Sequence, residues 1–102
     1  MITLQWEPPT EFADGSLIPP EMAADIITTI YATPQGLDSW AVVGIAHGGT
    51  ECGVELAPGL WQIRATAKFP DGAESEPTEI TGAKVYAALK KVKKLWVLKV
   101  TQ

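Results

Sequence analysis

Catalytic residue types are scarce in this chain. Its 102 residues include one histidine, His47, and one cysteine, Cys52. A single thiol excludes an intrachain disulfide, so packing alone must hold the fold. It also fits a reducing compartment. Cys52 and His47 together supply two metal ligands, where a zinc site needs three or four. As a nucleophile and base they would need a third group to orient the base, and none is evident nearby. The segment from Ile45 to Cys52 reads instead as a strand end, a Gly48-Gly49 turn and a new strand. The glycine spacings of phosphate-binding loops are absent. No apolar run reaches the about 18 residues that a membrane span requires. Met1 to Glu7 lacks a basic segment followed by a long apolar one, so no secretory signal is predicted. These absences predict a non-enzymatic protein with no cofactor, no metal, no small-molecule substrate and no membrane association.

Charge of one sign is nearly missing from each part of the chain. Met1 to Ile80 holds all 12 acidic residues and only two basic ones, Arg64 and Lys68, a balance of −10. Thr81 to Gln102 holds six lysines and no acid, a balance of +6. The net charge of −4 therefore hides an acidic body with a basic tail. An acidic body disfavours nucleic acid as a partner, since only Lys90 to Lys94 offer a basic surface. Glu11, Asp14, Asp71 and Glu74 fall in two acidic loops. They lack the dense oxygen-ligand spacing of a calcium loop, and they read as solvated.

What is present is a strand pattern. Hydrophobic residues make up 46% of the chain, enough for a core. Ile2, Leu4 and Trp6 alternate with polar residues until Pro8-Pro9 stops them. A long loop is expected from Glu7 to about Ala23, with turn dipeptides at Asp14-Gly15 and Pro19-Pro20. Asp25 to Thr33 is β-branched and aromatic. Trp40 to Ala46, Glu51 to Leu56 and Leu60 to Phe69 follow, separated by Gly48-Gly49 and Pro58-Gly59. In the last of these Trp61, Ile63, Ala65 and Ala67 face inward. After Pro70-Asp71-Gly72 a weaker strand is expected around Thr78 to Thr81. Short alternating strands with frequent turns predict an all-β antiparallel sandwich over residues 1–82.

Residues 83–102 form a basic C-terminal tail with two readings. Val85, Leu89, Val92 and Trp96 share one helical face, with Lys90, Lys91, Lys93 and Lys94 around it. Leu95, Trp96, Val97, Leu98 and Val100 suit a strand. The expectation is a linker or short helix, then a strand over 95–101.

Several segments together resemble a fibronectin type III domain of the bacterial and phage type. Leu4-Gln5-Trp6-Glu7-Pro8-Pro9 looks like that family's second strand with its core tryptophan, and Ala13-Asp14-Gly15-Ser16 like the loop after it. Val54 to Ala67, with Leu56, Pro58-Gly59 and Trp61, is similar to the corner before the sixth strand. Asp71 to Pro77 looks like the last hairpin. Two departures stand out. Trp61 replaces the corner tyrosine, so an indole N–H must make the bond back to the backbone. Only three residues precede Leu4, so the family's first strand has no counterpart at the start. The resemblance thus implies an immunoglobulin-like sandwich lacking its N-terminal first strand. The tail is the candidate to supply it, to its own domain or to a neighbour by strand addition.

The function that this resemblance implies is that of a phage virion structural protein, in capsid decoration or in the head-tail and tail apparatus. It would act by protein–protein assembly with other virion proteins or copies of itself, in a virion assembled in the host cytoplasm; a cytoplasmic location is the alternative. The interaction residues expected are Lys90, Lys91, Lys93, Lys94, Leu95, Trp96, Val97, Leu98 and Val100. The lysines either steer the tail to an acidic neighbour or simply solvate an apolar segment. A different reading is a surface-binding module that recognises glycan or a host protein through the Glu7–Ala23 and Pro70–Pro77 loops. Trp6 and Trp61 are expected in the core, while Trp40 suits sugar stacking and Trp96 a partner pocket.

Overall fold

The computed structural model describes residues 2–91 and 93–99. Six strands are formed: β1 (Ile2–Gln5), β2 (Ile27–Pro34), β3 (Ala41–His47), β4 (Glu51–Val54), β5 (Gly59–Lys68) and β6 (Thr81–Val85). They make a two-stranded sheet, β1-β4, and a four-stranded sheet in the order β3-β2-β5-β6. All pairings are antiparallel. The chain is therefore all-β and sandwich-like, with a core between the sheets. Ile30 and Ala32 of β2, Ile63 of β5 and Val54 of β4 form that core, with Ile2, Leu4, Trp6 and Cys52 packed against it.

The central strand is β2, paired along its length with β5 and on its other side with β3. Its position explains why both of its faces are shielded. Ile30 and Ala32 face the core, while the polar Thr29 and Thr33 on the opposite face are also buried. Thr33 Oγ1 accepts a hydrogen bond from the Ser39 N–H at 3.1 Å, which satisfies the buried hydroxyl oxygen.

Between β1 and β2 the chain makes local structure that the sequence reading leaves as loop. Phe12 to Ser16 closes a small hairpin by two backbone bonds, and Asp14 accepts from both the N–H and hydroxyl of Ser16. Pro20–Asp25 then forms a short 3-10 helix, with proline in its first turn, where no N–H is needed.

Gly48 and Gly49 carry the chain from one sheet to the other. Both adopt positive φ, +74° and +72°, which side chains with a Cβ rarely tolerate. A Cβ on Gly48 would stand 2.7 Å from the Ala24 carbonyl oxygen, and the Gly48 N–H donates to the Ile26 carbonyl at 2.8 Å. Gly48→Ala is expected to destabilise the chain by about 2 kcal/mol, measured by urea unfolding. Gly49→Ala, with open space around its Cβ, should cost less than Gly48→Ala.

The last strand lies later than expected. Pro77 cannot donate to a ladder, so the segment after the Pro70 turn runs beside β5 with mixed bonding: the Ser75 and Thr78 N–H groups donate to the Ala67 and Ala65 carbonyls, both at 2.8 Å, and side chains take the return bonds. Ser75 Oγ accepts from Ala67 N–H at 2.9 Å and Thr78 Oγ1 from Ala65 N–H at 3.0 Å. Regular pairing resumes only at Thr81, opposite Ile63, and continues to Val85, opposite Gly59. The strand therefore extends beyond Gly82.

From residue 86 onward the described residues carry neither helix nor strand. The short helix before Lys94 is absent among them, and Leu95 to Lys99 join neither sheet. Val92, Val100, Thr101 and Gln102, on which part of the expected helix face and strand falls, lie outside the described residues. The radius of gyration is 19.4 Å with a longest extent of 65 Å, against about 13 Å for a compact chain of this length. The tail extends away from the body.

Candidate interaction surface

The expected interaction residues are brought to no folded site; they share one exposed segment. Lys90, Lys91, Lys93 and Lys94 are exposed. Leu95, Trp96, Val97 and Leu98 leave 91%, 67%, 75% and 91% of their surfaces in solvent. Burying an apolar side chain of this size stabilises by about 1.5–3 kcal/mol, so four in succession form a strongly adhesive segment. Val100 lies outside the described residues.

The body holds a matching defect. β1 has β4 on one side and no strand on the other among the described residues. Trp6 N–H donates to Thr50 O at 3.0 Å on the β4 side. Alternation along a strand then turns the backbone groups of Thr3 and Gln5 to the open side. Next to that edge lies a groove between β1 and the segment from Ser75 to Thr81. It comprises adjoining cavities of about 440 and 290 Å³ that share Trp6, Ala65 and Thr78. Ile30 and Ile63 line its floor while staying almost fully buried, so the groove runs directly over the core. Glu7, Glu11, Glu76 and Glu79 stand along it. The Trp6 indole N–H is buried with no acceptor, which costs about 1–3 kcal/mol. The absent first strand leads the sequence reading to expect an open edge and an exposed strip beside it; the four glutamates along the groove are not anticipated, because strand placement gathers them from separate segments.

Trp61 and Trp40, by contrast with the exposed Trp96, are engaged. Trp61 packs against the core, and its indole N–H donates to the Ala57 carbonyl, four residues upstream, at 2.8 Å. Trp40 donates to Asp38 Oδ1 at 2.8 Å, and the Arg64 guanidinium lies 4.1 Å from its ring centroid. One face of Trp40 is thereby taken for stacking.

The acidic loops are also committed in part. Glu74 Oε1 accepts from Tyr31 at 2.7 Å and from Thr66 at 2.6 Å, a cluster that spans 43 residues of sequence and that no local pattern announces. The Thr66 and Tyr31 hydroxyls hold the Glu74 carboxyl below its ordinary 4.5. The bond to Glu74 in turn pushes the Tyr31 phenol above 10.0. The folded state favours ionised Glu74, so that contribution is present above pH 4.5 and fades as pH falls through the lowered value. It favours neutral Tyr31, whose contribution is present below pH 10.0 and fades as pH rises through the raised value. Glu74→Gln is expected to lower stability at neutral pH and to flatten its decline in acid, as read by urea unfolding at a series of pH values.

Among the described residues, no group of three or more His, Cys, Asp or Glu is placed to hold a metal ion. Cys52 sits half-buried on β4 against the core, while His47 ends β3 opposite Ile27. No helix among the described residues is long and apolar enough to cross a membrane. Comparison with protein-family models, curated proteins and solved structures gives no match to this chain.

Proposed function

We propose that this chain is a non-enzymatic structural protein that works by protein–protein assembly, its C-terminal tail being the assembly element. One observation carries the reading: an apolar segment with basic flanks stands in solvent while the acidic body keeps an open sheet edge beside an apolar-floored groove. Exposed edges and exposed apolar segments both invite pairing with another chain. The sequence resemblance to fibronectin type III domains supports a finer description, an immunoglobulin-like sandwich whose first-strand position is vacant beside β1. It also motivates a place in a phage virion, in capsid decoration or the head-tail and tail apparatus, with assembly in the host cytoplasm.

The test is the solution mass of the full chain across a concentration series at low and high salt. The expected result is a concentration-dependent oligomer that weakens as salt screens the opposite charges. A monomer at all concentrations that also fails to associate with particle fractions would reject the reading.

A second reading has one observation in its favour. A cavity of about 350 Å³ opens between the Glu7–Ala23 and Pro70–Pro77 loops, walled by Phe12 and Phe69. Recognition of glycan or a host protein there would appear as binding to an arrayed ligand panel that Phe12→Ala abolishes.

A further inference from the structure

The groove beside β1 has a shape, a charge and a set of unsatisfied backbone groups that together specify an occupant. Its floor is apolar and its margin carries four glutamates. The open edge of β1 offers the N–H and C=O groups of Thr3 and Gln5. An extended segment with alternate apolar side chains, free backbone groups and adjacent positive charge would meet all of these at once. Such a segment exists in the same chain. Leu95 to Lys99 is about as long as the four-residue β1. It is apolar at four successive positions, and four lysines lie within the preceding five residues.

We propose that the groove receives Leu95 to Lys99 of a second copy of this chain, added as a strand to the open edge of β1. The inference rests on the assembly reading above and names its partner and its site. In the pairing, backbone carbonyls of the incoming strand accept from the Thr3 and Gln5 N–H groups. Lys90, Lys91, Lys93 and Lys94 come to the glutamate margin. A copy is the favoured donor because the tail of each chain extends away from its own body. Every body also has one groove and every chain one donor strand, so the contact is heterologous and repeats or closes with each added copy.

A charge swap in the full chain tests this. Glu76→Lys with Glu79→Lys reverses one margin of the groove, and Lys93→Glu with Lys94→Glu reverses the approach of the tail. All four residues are exposed, so both variants should fold. Each double variant alone is expected to associate more weakly than the parent, by about tenfold or more at low salt. Mixed one to one, they should regain the parent's oligomer mass, because each tail then meets a groove of opposite charge.

If both variants assemble like the parent, the groove assignment is overturned while assembly itself stands. If the parent is monomeric and the tail variant is less stable than it, the strand inserts into its own body and the second-copy proposal fails. If the parent is monomeric and neither variant differs from it, the proposal and the assembly reading fail together.

Discussion

Ile30→Ala is expected to destabilise the chain by about 3 kcal/mol. Ile30 sits at the middle of β2, 2% exposed, with β3 and β5 on either side and Val54 and Ile63 in its cluster. Truncation removes three carbons from contact and leaves a cavity that two flanking ladders prevent from closing. Domains of this size have about 5–15 kcal/mol of total stability, and here only four residues form the buried apolar cluster. The loss is therefore a large part of the whole. Urea unfolding should show a lower midpoint with an unchanged slope. Ile80→Ala, at a position 53% exposed, should shift it by no more than about 0.5 kcal/mol. Equal effects at the two sites would mean that the core between the sheets is wrongly placed.

Ending the chain after Val85 is expected to have the opposite profile. The described residues beyond Val85 pair with no strand, so their loss should leave the unfolding midpoint of the monomer nearly unchanged. It should abolish self-association, since it removes the four apolar side chains of the donor strand and five of the six tail lysines. Urea unfolding of the shortened and full chains reads the first effect, and sedimentation at matched concentrations reads the second. A shortened chain that still assembles places the contact elsewhere on the body. One that unfolds much more easily shows that the tail packs on its own body.

Much of the fold was legible because strands of an antiparallel sandwich carry a two-residue period. Ile2 and Leu4 against Thr3 and Gln5, or Ile63 against Gln62 and Arg64, declare their faces locally. Gly48-Gly49 declared a turn because positive φ values restrict residue choice there, though not that the turn passes between sheets. Trp61 was legible as a core residue from its place in the alternation of β5, while its bond to the Ala57 carbonyl was not. The misses have physical causes too. Pro77 moves regular pairing to Thr81, because before it the hydroxyls of Ser75 and Thr78 stand in for the carbonyls that would accept from Ala67 and Ala65, a substitution that apolar periodicity does not register. The 3-10 helix at Pro20–Asp25 has no apolar period to reveal it. Leu95 to Lys99 have strand propensity but no partner strand within the folded body, and propensity alone does not hold a strand. The Tyr31–Glu74–Thr66 cluster and the glutamate margin of the groove beside β1 arise from the tertiary arrangement of segments distant in sequence. For the tail, the charge division marked the segment but not its counterpart; strand placement brings Glu7, Glu11, Glu76 and Glu79 to one margin.

Amide hydrogen exchange at Thr3 and Gln5 reports most directly on a neighbour's strand at the edge of β1. The expected result is fast exchange in dilute protein and protection that rises with concentration. In the chain ending at Val85, both amides should stay fast at every concentration. Fast exchange at both positions in a fully assembled oligomer would contradict strand addition at this edge.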